Sequence, residues 1–389
     1  MRILHVTGEW AYGGVEMWLM HVFRRLDGSH RMEILLNSNP PSPLESELAR
    51  LGVKIHYIGH NPRSRTLLAK VFRHLKKHGP YDVVHSHFNH ASGAVMAAAW
   101  AAGVPERISH AHNDISSWLA KQPPKMKRRC TRLSAMSNRF STSLLGASLP
   151  SGDSIFGHGW NSRPRCRTLY CGVDMTAFEH PADREAIRRE LGIAPHRHVI
   201  GHIGRFAEQK NHAFLVRIAE EYRRIDPDVC FVLIGEGPLE PQIRAQVAAA
   251  GLEDHVRFLG RRTDIPRIMT GLMDAFVMCS NFEALTLVLM EAQAAGLPSV
   301  YSTRISNEVA TIPELMRQLS LDEPPRRWAE ALHQARREYQ PRWRTEALRV
   351  MKESPFNIDH SARELLAFYD SAPRRKPGHR APQMAGAAH

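Results

Sequence analysis

The chain passes twice through the same alternation of short apolar runs and longer amphipathic stretches, and this rhythm constrains its fold more than any other feature. Arg2–Val6, Met32–Leu36, Lys54–Ile58, Val83–His85 and Arg107–Ser109 read as strands, with helical stretches at Val15–Leu26, Leu44–Leu51 and Thr66–His78 between them. A helix inserted between successive buried strands forces parallel pairing, so the pattern predicts βαβ units. It resumes after residue 198, with strands at Val199–Ile203, Cys230–Ile234, Val256–Phe258, Ala275–Met278 and Ser299–Tyr301. Helices follow at His212–Ile225, Leu239–Ala250, Ile265–Met273 and Thr286–Ala295. A length of 389 residues exceeds one ordinary core and agrees with two domains. The expected class is α/β, with two doubly wound Rossmann-like domains facing a cleft, because open α/β sheets bind ligands at the carboxyl ends of their strands. The expected boundaries are 1–173 and 174–355, with the junction near Cys171-Gly172-Val173-Asp174. A closing helix, Ser361–Tyr369, lies within 356–372, and the Pro-, Ala- and Gly-rich stretch 373–389 reads as a disordered tail.

Charge is lopsided. Residues 1–175 hold 23 Lys and Arg against 11 Asp and Glu, whereas residues 176–355 hold 24 against 25. The net charge of +13 therefore resides in the first half, which points to an anionic partner, nucleic acid or membrane surface, more than to a fold. No apolar run approaches the roughly 18 residues of a membrane span, and Met1-Arg2-Ile3-Leu4-His5-Val6 reads as a first strand rather than a signal peptide. The five cysteines are scattered without a C-x-x-C pair, so neither a disulfide framework nor a zinc-cysteine site is expected, and a reducing cytoplasm fits.

The chemistry concentrates around Glu283 and Glu291. Seven residues separate them. The first stands in a loop after the strand Ala275–Met278, and the second is expected about two turns into an apolar helix, on the face looking back toward Glu283. Two such acceptors suit the hydroxyls of a polyhydroxylated ligand. A carboxylate among Leu287, Val288, Leu289 and Met290 is costly unless partnered, and a ribose diol would partner it. The alternative is two ordinary salt-bridged carboxylates. Upstream, Arg205 and Lys210 occupy a strand-to-helix loop, Gly204-Arg205-Phe206-Ala207-Glu208-Gln209-Lys210-Asn211-His212, where a phosphate docks. Together they could neutralise a diphosphate leaving group as its charge grows. Alone, they read as a solvated pair beside Glu208. Gly13-Gly14-Val15-Glu16 opens the first helix and would let a ligand approach the backbone at Gly14. It does not spell G-x-G-x-x-G, so the dinucleotide fingerprint is absent.

Histidines are abundant. His85, His87 and His90 cluster at one strand end, and His110 and His112 at another. His-x-His on a strand points both rings one way, but no cysteine or carboxylate spacing completes a metal site, and none is expected. His112 is read as a polar contact to a sugar. Asp226-Pro227-Asp228 is read as a turn rather than a metal motif. Lys121–Arg132 holds six cations and no acid, with Lys125, Lys127, Arg128 and Arg129 at its centre. Its two readings are a solvated surface helix and a basic face toward anionic lipid or a lipid-pyrophosphate acceptor. Without interleaved aromatics a nucleic-acid site ranks lower.

In order and spacing these motifs resemble glycosyltransferase family 4, the retaining, nucleotide-sugar-dependent enzymes of the GT-B fold. The resemblance runs from Met1 to about Tyr369. Tyr81–His87 and Arg107–Asn113 look like its exopolysaccharide-synthesis branch, Gly204–His212 like its diphosphate loop, and Glu283 with Glu291 like its E-x7-E motif. It implies that Arg205 and Lys210 hold the donor diphosphate, that Glu291 binds the ribose, and that Glu283 contacts sugar hydroxyls. Leu285 and Thr286 would lie beside the donor, with Gly14 and His112 approaching the sugar from the N-terminal side. It implies no metal or other cofactor, and front-face attack assisted by the leaving phosphate rather than a dedicated nucleophile. The final helix would cross back to the first domain. Three features depart from the pattern. Ala284 and Cys171 stand where the family usually has Gly and Asn, and Ser299–Glu314 carries no Gly-Gly loop; the two substitutions bear on donor preference.

The expected function is a hexosyltransferase moving a hexose from a UDP- or GDP-sugar to a polysaccharide or lipid-linked glycan. The expected location is the cytoplasm, peripheral at the inner face of the plasma membrane. The competing readings are a sugar-nucleotide epimerase on the same fold and a catalytically silent membrane- or nucleic-acid-binding protein.

Overall fold

A computed structural model describes residues 1–373 except 9, 11, 12, 43, 61–63 and 181. The expected disordered tail, apart from Pro373, lies outside the described residues. The chain divides into two compact units. One comprises Met1–Gly172 and the segment beginning at Ile358; the other is Val173–Asn357.

In the first unit the strands are β1 Arg2–Thr7, β2 Arg31–Leu36, β3 Lys54–Tyr57, β4 Val83–Ser86, β5 Glu106–Ala111, β6 Ser143–Gly146 and β7 Cys166–Thr168. The helices are α1 Gly14–Phe23, α2 Glu45–Arg50, α3 Ser64–His78, α4 Ser92–Ala101, α5 Ser116–Ala120, α6 Pro124–Phe140 and α7 Leu149–Phe156. All strand pairs are parallel, in the order β3-β2-β1-β4-β5-β6-β7.

The second unit repeats the plan. Its strands are β8 His198–Ile203, β9 Val229–Ile234, β10 Val256–Phe258, β11 Ala275–Met278, β12 Ser299–Ser302 and β13 Met316–Leu319, in the parallel order β10-β9-β8-β11-β12-β13. Its helices are α8 Arg184–Glu190, α9 His212–Ile225, α10 Glu240–Ala249, α11 Ile265–Gly271, α12 Leu287–Ala294, α13 Pro325–Arg337 and α14 Trp343–Glu353. A last helix, α15 Ile358–Asp370, belongs to the first unit and packs on α1, where the Trp18 indole donates to Ser361 Oγ at 2.9 Å.

The two faces of the first sheet differ. On one, Leu4, Val6 and Val84 meet aliphatic side chains of α3, α4 and α6 such as Val71, Val95 and Leu133. On the other, five buried imidazoles, His5, His85, His87, His110 and His112, stack beneath Trp18 of α1 and Tyr369 of α15. Parallel register sets His5 opposite His85, which lines the rings up across neighbouring strands. Hydrogen bonds link His5 to His87 (3.1 Å), His87 to His112 (2.9 Å), His85 to His110 (3.2 Å) and His85 to Tyr369 Oη (2.7 Å). Burial holds these rings neutral, bringing His5 and His112 down to about 3. The second unit has an aliphatic and aromatic core instead, with Phe231, Val277, Leu215 and Trp328 joining the sheet to α9 and α13.

Candidate active site

In a doubly wound sheet the strand order reverses at one point, and the loops leaving the two strands there diverge and open a crevice at their carboxyl ends. In the second unit that point lies between β8 and β11. The loop after β8 carries Arg205 and Lys210; the loop after β11 carries Glu283. The fold therefore brings these distant sequence positions together.

Lys210 Nζ donates to Glu283 Oε1 at 2.6 Å, and both side chains are largely buried. The backbones are tied as well. Asn281 N–H donates to the Gln209 carbonyl (2.8 Å), the Asn281 amide to the Glu208 carbonyl (2.7 Å), and the Gln209 amide to the Phe282 carbonyl (3.1 Å). Asn211 takes a left-handed conformation (φ 55°) that turns the chain into α9. His212, the first residue of α9, contributes no charge: burial pushes it down to about 2 beneath the stacked Phe206 ring. Arg205 is exposed and has no side-chain partner among the described residues. Lys210 is thus parked on Glu283, while Arg205 remains free for an anion.

Two glycines that the sequence reading did not single out hold this loop in place. A β-carbon on Gly235 would lie 2.2 Å from the Gly204 carbonyl oxygen, and one on Gly237 2.5 Å from that of Phe206. Gly235 also has φ +137°, a region nearly reserved for glycine. The β9–α10 turn therefore presses its backbone directly against the Gly204–Asn211 loop. Gly235-Glu236-Gly237-Pro238 after a strand was the available sequence signal.

Glu291 lies on the fifth residue of α12, just over one turn in, rather than two, because the helix starts at Leu287. Its carboxyl has no hydrogen-bond or ion-pair partner among the described residues, and burial pushes it up to about 7. Thr286 caps α12 without a side-chain hydrogen bond, so the first amides of the helix are left for solvent or a ligand. Leu285 immediately precedes it, partly exposed. Ala284 is fully buried, and its carbonyl accepts from Ser306 N–H at 3.1 Å.

In the first unit Gly14 is the exposed first residue of α1. His112 follows β5, almost fully buried. Its Nε2 meets His87 and its Nδ1 makes a long 3.7 Å contact with Cys171 Sγ. Lys125, Lys127, Arg128 and Arg129 are all exposed on α6. Asp226 is the cap residue ending α9, bound by His198 and Arg336. The five cysteines are free and buried. Among the described residues no helix is long and apolar enough to cross a membrane.

The Glycosyltransferase Family 4 domain matches residues 12–177, and Glycosyl transferases group 1 matches residues 183–344. "Putative glycosyltransferase EpsF" of Bacillus subtilis (strain 168) is 34% identical over 340 residues, covering 86% of this chain and 87% of that protein. The UDP-Gal:alpha-D-GlcNAc-diphosphoundecaprenol alpha-1,3-galactosyltransferase of Escherichia coli is 26% identical over 239 residues, covering 60% and 61%. The Anabaena HepE crystal structure in complex with UDP-glucose superposes with a TM-score of 0.79 at 20% identity, covering 95% of this chain and all of that one. WaaG, a glycosyltransferase involved in lipopolysaccharide biosynthesis, gives a TM-score of 0.72 at 17% identity, covering 95% and 98%. Two doubly wound parallel sheets of this kind define the GT-B fold, as the sequence led one to expect. The chain belongs to glycosyltransferase family 4 and is a glycosyltransferase.

Proposed function

We propose that the chain transfers a hexose, with retention, from a UDP- or GDP-sugar to a polysaccharide or lipid-linked glycan, without a metal or other cofactor. The observation that carries this reading is the second unit's switch point. There a buried Lys210–Glu283 pair, an exposed and unpaired Arg205, and the partnerless Glu291 belong to adjoining loops and one short helix. In this reading Arg205 and Lys210 take the diphosphate and stabilise its growing charge as the sugar leaves. Binding moves Lys210 from Glu283 to phosphate and frees that carboxylate for sugar hydroxyls. Glu291 takes the ribose diol, and the open amides of α12, beside Leu285 and Thr286, add donors toward phosphate oxygen. Gly14 and His112 remain donor contacts; for His112 the long Cys171 contact gives way first. A UDP-glucose complex of HepE and a UDP-Gal-using relative support a UDP-sugar as the first donor to try.

The test is an incubation with UDP- and GDP-sugars that scores free nucleotide diphosphate and glycosylated product. Release of UDP or GDP that is abolished by Arg205→Ala and Glu283→Ala supports the assignment. Unchanged kcat/KM in both variants overturns it, and a product still attached to nucleotide would mean epimerisation.

The exposed cations of α6 support a peripheral site on anionic membrane, at the cytoplasmic face, where a lipid-linked acceptor would reside. Flotation with vesicles of varied anionic-lipid content tests it, and binding insensitive to lipid charge and salt overturns it.

A further inference from the structure

Three histidines at the β3 edge of the first sheet are arranged differently from the buried five. His56 projects from β3, while His74 and His78 sit one turn apart on α3, where side chains four residues apart share a face. One ring nitrogen from each lies within 4.8 Å of those of the other two. The ring centroids are 4.6 to 5.0 Å apart.

Two of their ring nitrogens are committed. His56 Nε2 bonds Glu33 Oε2 at 2.9 Å, and His74 Nε2 faces the Tyr81 hydroxyl at 3.3 Å. That hydroxyl donates to the same Glu33 oxygen at 2.9 Å. Glu33 is fully buried and accepts further bonds from Arg2 at 2.8 and 3.1 Å. The Arg2 guanidinium grips both carboxylate oxygens and so holds Glu33 ionised. An ionised carboxylate only accepts, so His56 carries its proton on Nε2. Tyr81, having donated to Glu33, accepts from His74, which therefore also carries its proton on Nε2. Both rings are left with a lone pair on Nδ1. A carboxylate behind a histidine, fixing its tautomer and orienting its free nitrogen, is how proteins prepare imidazoles for a metal.

We propose that His56, His74 and His78 form a structural binding site for Zn2+ or a similar nitrogen-preferring divalent ion, with solvent as fourth ligand. Neutral imidazoles suit zinc, nickel and copper, and disfavour magnesium and calcium. Tetrahedral zinc at a bond length of about 2.1 Å places its ligand atoms about 3.4 Å apart, which the half-exposed His78 reaches by a small rotamer shift. The ion would fasten edge strand β3 to the last turn of α3. The buried His5-His85-His87 and His87-His110-His112 groups are poorer candidates, because their nitrogens are largely spent on one another. Lys54 and Lys77 add positive potential near His78, which sets the affinity below that of a site with carboxylate or thiolate ligands.

The test uses the full chain without any histidine tag, stripped with EDTA, dialysed and titrated with Zn2+ and, as a spectroscopic probe, Co2+. The expected result is one tightly held equivalent per chain, a visible Co2+ d–d absorption, and a rise in Tm on zinc addition. His78→Ala, at a half-exposed position, should fold normally and lose at least tenfold in zinc affinity together with the Co2+ band. His56→Gln should do the same, while His158→Ala, at an exposed histidine elsewhere, should match the wild type. Zinc uptake and Co2+ absorption that survive His78→Ala, or a wild-type chain that retains no zinc, overturn the site. EDTA should lower Tm while leaving transferase activity unchanged below the transition, which separates this staple from a catalytic metal.

Discussion

Lys210 Nζ lies 2.6 Å from Glu283 Oε1, and the two side chains neutralise each other at the carboxyl end of the second sheet. Removing one partner leaves a largely buried charge alone, which costs about 3 kcal/mol or more. Lys210→Ala should lower unfolding stability by about that amount and abolish transfer. Lys210→Met combined with Glu283→Leu should recover most of the stability and none of the activity. Urea unfolding of the four species forms the double-mutant cycle, and a coupling energy near zero would remove the pair from the account.

Arg205 behaves oppositely. It is exposed and touches no acid among the described residues, so Arg205→Ala should change stability by less than about 0.5 kcal/mol. The same substitution should reduce kcat/KM at least 100-fold, about 2.7 kcal/mol of lost transition-state stabilisation. Arg205→Lys should recover only part, because an ammonium lacks the guanidinium's fork. A stability loss equal to the activity loss would mean a structural residue instead.

Glu291 gives a pH signature. Its carboxyl titrates near 7 in the fold against 4.5 ordinarily, so between those values the folded chain holds a proton that the unfolded chain has released. Its contribution to stability therefore falls as pH rises from 4.5 to 7, by at most about 1.4 kcal/mol per pH unit, and levels off above. Relative to wild type, Glu291→Gln should gain stability across that window. A pH-independent difference would mean the carboxylate is already partnered.

The imidazole layer has the opposite sign. His5 and His112 remain neutral in the fold down to about 3, whereas unfolded histidine protonates near 6.5. Below 6.5 the unfolded state binds the extra protons, so stability falls as pH drops toward 3, with each ring contributing up to about 1.4 kcal/mol per pH unit. Denaturant midpoints measured from about pH 7.5 to about pH 5.5 should decline steeply. A flat profile would show that the rings are charged in the native protein.

Gly235→Ala should destabilise the chain by about 2 kcal/mol or more, since the new methyl meets the Gly204 carbonyl oxygen and the residue must hold a positive φ. Nucleotide affinity should fall with stability, because the displaced loop carries Arg205 and Lys210. Calorimetric titration with UDP and GDP reads the second effect; undiminished affinity would mean the loop holds its shape without the contact.

Much of this was legible in the sequence because strands β1–β5 and β8–β12 recur at regular intervals within each unit. The strands not foreseen are short and partly polar: β6 (Ser143-Leu-Leu-Gly), β7 (Cys166-Arg-Thr) and β13 (Met316-Arg-Gln-Leu). Helix α4, Ala-rich and buried nearly all round, lacks the polar face that marks an amphipathic helix. Within the candidate site, Arg205, Lys210, Glu283 and Glu291 stood out by spacing. Gly235 and Gly237 did not, since their roles depend on a backbone approach from a different loop. His5, His85, His87, His110 and His112 could each be seen, but not that Tyr369, 284 residues beyond His85, closes the layer they form.

The return of α15 to the first unit bears on how the protein is made. A ribosome releases β1 through β7 long before it reaches Ile358, so the imidazole layer stays without Tyr369 and Ser361 while the whole second unit is being synthesised. The earliest part of the chain to emerge is therefore the last to be completed, and a premature stop near residue 357 would leave an intact second unit beside an unfinished first one.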